Sequence, residues 1–349
     1  FRLLMLAREL LNKQDKDITV AVGAPVAHKQ LAHLDDEAFT DTVRLLTYAL
    51  QPDDAANTPV APLAPAPLAP SRQREALEAE IDGLPAEQRV YEGHGCVVFF
   101  GRRAQFPEVV AEIARERERT FRMLDEGSGA PEDTDAFDDT SEHIVVWDRA
   151  GRGLLGAYRM GRRDQLVRLG GSYLDQMFDF DDAFFARHRG ALELGRSFVA
   201  PEYQRARHSL DLLWRGIGGV VRANPEFTVL YGTVSLTTQY DPVSIDMMCD
   251  VLIDAPEHVR PRTPLVPNLV PDWAEYRARH GVDRAALDKL IAAREPDGKG
   301  LPILVKQYAA LGARFHAVGI DPNFAATPGL LLSVDIASIP DSKRRRYID

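Results

Sequence analysis

The chain has 349 residues, 45% hydrophobic and 27% charged, which supplies core material for one large domain or two smaller ones. Its formal net charge of −10 gives no general cationic field to collect phosphate backbones, which argues against a nucleic-acid binder. Two cysteines, Cys96 and Cys249, are too few and too far apart for a disulfide framework or a zinc site. That sparse cysteine usage makes the reducing cytoplasm the expected compartment, and no apolar run of about 18 residues is present to span a membrane.

In chain order, Phe1 to Leu11 reads as an apolar helix, Asp17 to Val22 as a β-branched strand and Asp36 to Leu50 as an amphipathic helix. Fifty residues with one short strand bury little on their own. The start at Phe1 rather than Met suggests a piece cut from a longer polypeptide. Asp53 to Pro70 repeats Ala-Pro, a composition that favours extended polyproline II and cannot build a core. The boundary is therefore set at residues 51–70, leaving 71–349 as the main domain.

Ser71 to about Gly83 reads as a helix and His94 to Phe100 as a strand. A longer helix starts at Pro107, with Val110, Ile113 and Phe121 on one face. Its run Arg115, Glu116, Arg117, Glu118 reads as a solvated face held by local pairs. Asp125 to Thr140 is acidic loop. His143–Trp147 and Leu154–Met160 form a hairpin around Asp148–Gly151. Phe178 to Phe185 leads into a helix.

Leu192 to Val199 is a strand that Pro201 ends, since proline cannot donate to a ladder. The next loop holds Arg205, Arg207 and His208. Leu210, Leu213, Trp214 and Ile217 then recur at helical spacing. A helix starting beside arginines offers free N–H groups to an anion; an ordinary strand-to-helix connection fits the same letters. Phe227 to Leu236 is strand, Val270 to Arg294 polar helix and Leu304 to Leu311 a short helix. Arg314–Val318 and Leu330–Val334 are the last strands. The order predicts a mixed α/β (α+β) domain, with a mostly antiparallel central sheet flanked by helices.

Four segments in this order resemble the GNAT N-acyltransferase superfamily, in its hemolysin-like branch with the ornithine lipid N-acyltransferases. They are R-x-R-T-F-R-M-L-D-E-G-S-G from Arg117, D-x-F-D-x-x-S-E-H-I-V-V-W-D from Asp135, G-A-Y-R from Gly156, and E-L-G-R-S-F-V-x-P-x-Y from Glu193, the last followed by L-L-W-R-G-I from Leu212. Residues 1–50, with Gly23-Ala24-Pro25-Val26 before a final helix, resemble the end of a lysophospholipid acyltransferase domain. The GNAT resemblance implies a sheet splayed between its fourth strand (Leu192–Val199) and fifth (Phe227–Leu236), with the arm of an acyl thioester entering the splay. It implies that Val199, Gln204, Arg205, Ala206, Arg207 and His208 hold the pantetheine phosphate. That loop lacks the glycines with which acetyltransferases approach a pyrophosphate. This favours acyl-carrier protein over acyl-CoA as donor, and arginines suit an acidic carrier surface.

Amide formation from a thioester needs a neutral amine, an oxyanion donor and a proton for the leaving thiolate. A free α-amine has a pKa of about 8, so a modest base suffices at neutral pH. Glu193 is the candidate base. Strand alternation puts it on one face with Gly195 and Ser197, and Leu194, Arg196 and Phe198 on the other. Arg159 and Arg196 are read as holding Asp135 and Asp138 in a network that shapes the amine site, or as plain fold-stabilising pairs. Ser235 is a candidate donor to the thioester, and His143 a candidate for positioning the amine. His94, His143 and His316 fit satisfied structural histidines better than ligands, and no spacing suggests a metal. Tyr173 to Phe185 covers an acyl chain or is ordinary core.

The expected activity is transfer of a fatty, 3-hydroxyacyl group to the α-amine of an amino acid, ornithine by resemblance, giving a lyso-aminolipid. The rivals are an acyl-homoserine-lactone synthase and a non-catalytic module that binds a carrier protein or membrane. Lys343 to Arg346 reads as an exposed basic tail able to touch anionic lipid at the inner membrane.

Overall fold

The computed structural model describes residues 20–50, 65–151, 153–186, 190–206, 208–267, 270 and 272–349. The readings of Phe1–Leu11 as a helix and of most of the Ala-Pro linker lie outside these residues, as does Arg207. Val20 to Val22 carry no strand.

The strands are β1 (Arg89–Gly93), β2 (Cys96–Arg102), β3 (Glu142–Asp148), β4 (Gly153–Arg162), β5 (Phe178–Phe180), β6 (Ala191–Val199), β7 (Val229–Ser235), β8 (Val259–Pro261), β9 (Arg314–Asp321) and β10 (Thr327–Asp335). The longer helices are α1 (Asp36–Tyr48), α2 (Arg74–Asp82), α3 (Pro107–Arg122), α4 (Ser209–Ala223), α5 (Pro242–Leu252), α6 (Trp273–His280), α7 (Arg284–Arg294), α8 (Ile303–Ala310) and α9 (Asp341–Tyr347). Eight strands form one sheet in the order β1-β2-β3-β4-β6-β7-β10-β9, while β5 and β8 pair separately. All neighbours in the large sheet are antiparallel except β6 and β7, the parallel pair that α4 connects. This is the mixed, mostly antiparallel sheet with flanking helices that the sequence predicts.

Each face of the sheet buries its own core. Val98, Ile144, Met160, Leu192 and Leu194 pack against the apolar stripe of α4, made by Leu213, Trp214, Ile217 and Val220. Gly218 lets α4 lie against the chain end, because a Cβ there would run into the Tyr347 carbonyl. On the other face Val97, Phe99, Val145, Ala157 and Phe198 meet Leu77 and Ile81 of α2 and Val109, Val110 and Ile113 of α3. Pro107 starts α3 at its first turn, where the missing N–H costs nothing.

Residues 28–50 lie on the C-terminal helices. Leu45 and Ala49 join the α4-side core, Thr42 hydrogen-bonds Tyr276 at 2.8 Å, and Asp41 accepts from Arg279 at 2.8 Å. Ala66 and Ala69 donate to the carbonyls of Gly129 and Pro131 at 2.9 and 3.0 Å, so this end of the Ala-Pro stretch runs against the acidic loop.

Several elements differ from expectation for local reasons. Val270–Arg294 is two helices, because Gly281 takes φ +58° and closes α6. Phe178–Phe185 begins with β5 before its helical turn. His94 sits in the β1–β2 turn at φ +54° rather than in a strand. The basic end is not a loose tail but α9, with Arg346 on Asp211 at 2.6 Å and Tyr347 tilted onto Trp214. No helix among the described residues is long and apolar enough to cross a membrane.

Candidate active site

The parallel ladder between β6 and β7 is short. It pairs Ala191–Leu194 with Val229–Gly232 and then stops, although both strands continue. Gly232 allows this last close approach, since a Cβ would collide with the Leu194 carbonyl. Past it, Gly195 to Val199 remain bonded to β4 alone, and the sheet opens into a cavity of about 390 Å³. Because the opening passes through the sheet, its lining comes from both faces. Glu193, Arg159, Tyr173 and Phe324 lie on one side, Leu194, Val234 and Leu304 on the other.

A bulge sets what β6 shows this cavity. Its register with β4 steps from Gly195↔Arg159 to Phe198↔Ala157, so Arg196 and Ser197 together oppose Tyr158, and Arg196 takes φ +50°. The extra residue re-phases the strand. Arg196 therefore shares Glu193's side of the sheet and Phe198 enters the α3-side core, contrary to simple alternation. Ser197 instead bonds Tyr158.

Glu193 is buried at 8% exposure and accepts a hydrogen bond from Tyr231 at 3.1 Å. Burial pushes its carboxyl up, against the pull of Ser172, Arg159 and Tyr231. Arg159 bonds Asp135 at 2.6 Å and Asp138 at 3.3 Å. Arg196 donates to the Tyr173 hydroxyl at 2.9 Å and lies 3.5 Å from Asp133 and 3.8 Å from Asp135. Tyr173 in turn donates to Asp321 at 2.7 and 2.8 Å.

The network contains a member that the sequence reading placed in solvent. Arg117 is 1% exposed and grips Asp138 with both terminal nitrogens, at 2.9 and 2.8 Å, while its Nε lies 3.2 Å from Asp133. Glu118 is fully buried and accepts from the backbone of Ser128 and Gly129 and from Arg122. The run Arg115–Glu118 is thus largely an interior face, because the acidic loop folds back over α3. Burial raises Asp138, but the charge and hydrogen bonds of Arg117, helped by Arg159, outweigh it and hold the carboxyl well below its ordinary range.

The other candidates separate. His143 is fully buried beneath the network, with Nε2 donating to the Asp138 carbonyl at 3.2 Å. Burial lowers its pKa to about 4, so the ring is neutral, and it does not line the cavity. Asp135 and Asp138 also stay behind the arginines rather than at the cavity wall. Val199, Gln204, Arg205, Ala206 and His208 lie beyond the cavity lining. There the N–H groups of Gln204, Ala206 and Ser209 bond carbonyls within the loop, Gln204 also reaches the Val199 carbonyl at 3.2 Å, and His208 stacks on His94 at 3.8 Å. His316 is satisfied by Ala255 and Ser333. Tyr173, Leu174 and Met177 line the cavity, whereas Phe178 and Phe184 are core. Among the described residues no cluster fits a metal ion.

Sequence reasoning missed Glu126. It is 2% exposed, lines the cavity and accepts from Ser235, while its Oε1 has no hydrogen-bond partner among the described residues. Burial raises its pKa to about 7. Ser235 lines the cavity beside this carboxyl.

The sheet parts between β6 and β7 with a carboxylate and two arginines at the split, and residues 117–215, which include β6, match the acetyltransferase (GNAT) domain model. Over 267 residues the chain is 32% identical to glycine N(alpha)-acyltransferase of Bacteroides thetaiotaomicron, covering 69% of this chain and 78% of that protein. L-ornithine N(alpha)-acyltransferase of Rhodobacter capsulatus is 29% identical over 225 residues, covering 62% of this chain and 79% of that protein. The chain belongs to this family of amino-acid N(alpha)-acyltransferases: it is an acyltransferase that acts on amino acids. A solved CoA-dependent acyl-homoserine lactone synthase, BjaI, aligns at 11% identity and a TM-score of 0.37 over 73% of this chain and 90% of its own.

Proposed function

We propose that the protein moves a 3-hydroxyacyl group from acyl-carrier protein to the α-amine of ornithine, forming a lyso-aminolipid. The observation that carries this reading is the cavity where β6 and β7 part, with Glu193 and the two arginines in its wall. The amine nitrogen attacks the thioester carbonyl, the N–C bond forms and the C–S bond breaks. Glu193 accepts the amine proton, which is then available to the departing thiolate. A raised carboxyl suits that exchange better than an ordinary glutamate, since the stronger base takes the amine proton more readily. The bulge at Arg196–Ser197 leaves backbone N–H groups without a β7 partner along the split, a place for the developing oxyanion. Arg159 and Arg196 carry positive charge for the acceptor's α-carboxylate.

The donor assignment is supported by the exposed Arg205 and the absence of glycine in the loop before α4. The acceptor is supported by relatives named for ornithine; relatives named for glycine favour the second reading, glycine itself. Mass spectrometry of products from carrier-bound and CoA-bound 3-hydroxyacyl donors, each with ornithine or glycine, tests all of this. N-acylornithine from the carrier thioester, lost in Glu193→Ala, is the expected result. Amide formation surviving Glu193→Ala removes Glu193 from catalysis, N-acylglycine alone selects the second reading, and equal use of CoA removes the carrier protein.

A further inference from the structure

We propose that Glu126 seats a second, cationic amino group of the acceptor, so that the enzyme selects α,ω-diamino acids over neutral ones. This rests on the reading of the cavity as an amino-acid acylation site.

The two cavity glutamates are in opposite situations. Glu193 has Tyr231, Ser172 and the nearby charge of Arg159 to answer it. Glu126 has the Ser235 hydroxyl alone: no lysine, arginine or histidine among the described residues lies within ion-pair distance, and Oε1 is bonded to nothing described. A carboxyl buried in that state is costly, and it gains most from a ligand that brings its own N–H donors and positive charge.

Glu126 is also held in place. Its N–H bonds the Phe121 carbonyl at 3.0 Å, and Glu118 ties down Ser128 and Gly129 on the following turn. On the other side Gln239 holds the Met123 carbonyl and the Asp125 carboxylate. The backbone that carries the side chain is therefore held at the cavity wall.

Its position suits a two-ended acceptor. Glu193 meets Tyr231 and Glu126 lies beside Ser235, four residues further on β7, so the two carboxyls stand at successive places along one cavity wall. Burial keeps the Glu126 carboxyl near pKa 7, and an ammonium at Oε1 would draw it to the ionised form.

The test compares kcat/KM for ornithine with that for norvaline, which has the same carbon chain but no ω-amine, in the full chain and in Glu126→Gln. The expected result is an ornithine preference of at least about tenfold that collapses in Glu126→Gln and is better kept in Glu126→Asp, with thermal melting showing each variant folded. An equal loss for both acceptors in Glu126→Gln overturns the proposal and points to proton transfer or packing. Equal use of the two acceptors by the unaltered chain overturns it while leaving the acylation reading intact. Acylation of no amino acid overturns both.

Discussion

Asp138 and Glu126 are buried carboxylates that flank the same acidic loop, and they differ in almost everything else. Asp138 is clamped by both terminal nitrogens of Arg117, touched by Arg159 and bonded by the Asp135 backbone. Glu126 faces a cavity with one oxygen unmatched. Charge that the protein balances internally builds the frame of the site, and charge it leaves open is available to a ligand. The first should be expensive to remove and the second cheap or even favourable.

The largest effect expected is on the balanced side. Asp138→Ala strands Arg117 in the interior and should cost about 3–5 kcal/mol of unfolding free energy, read as a lower urea midpoint. A loss under 1 kcal/mol would mean that the pair is solvated in solution.

Glu193→Gln should lower kcat by ~100-fold or more at neutral pH with little change in folding. An unchanged rate would move proton transfer elsewhere in the cavity.

Glu126→Gln should stabilise the protein. Its carboxyl binds a proton in the folded state up to about pH 7 but only to about 4.5 when unfolded, so ionisation costs stability as pH rises through that window. The variant should gain up to about 3 kcal/mol above pH 7 and nothing below pH 4.5, by denaturant titration at both pH values. A destabilised variant at pH 7.5 would break the contrast with Asp138.

His143 acts with the opposite sign. The unfolded ring takes a proton below about pH 6.5 and the buried one only below about 4, so stability is lost as pH falls through that range. Between pH 7 and 5 the loss is about 2 kcal/mol, partly hidden by Glu126 and Glu193. It should emerge in Glu126→Gln as a steeper decline toward acid, and a flat profile there would show that His143 is not buried neutral.

The smallest effect belongs to the terminal helix. Arg346→Ala removes a contact from a half-exposed arginine to Asp211, which keeps Arg215 as a partner, and should cost under ~1 kcal/mol.

How much of this was legible depends on range. The hairpin of β3 and β4 and the strand-loop-helix of β6 and α4 show in alternation, turn residues and helical period, all local properties. Helix α5 escaped because PVSIDMMCDVL is apolar nearly all round and marks no single face. Arg117 and Glu118 looked solvated because neighbouring opposite charges on a helix usually are; what buries them is a loop ending at Asp138, distant in sequence and bound back by Arg117. Glu126 had no signal in its own segment, since an acid among glycines reads as loop until Ser235 and the cavity wall surround it.

The bulge in β6 makes this strand a counted device. Phe198 comes five positions after Glu193, an odd separation that ordinary pleating would send to opposite faces. The added residue brings both to one face while Leu192 and Leu194 stay in the opposite core. Deleting Arg196 or Ser197 would restore plain alternation, with Phe198 four places from Glu193, still opposite Ala157 and still facing α3. The core would keep its ring, but no arginine of β6 would then stand on Glu193's side, so the loss of one residue at the bulge strips the site while sparing the packing around it.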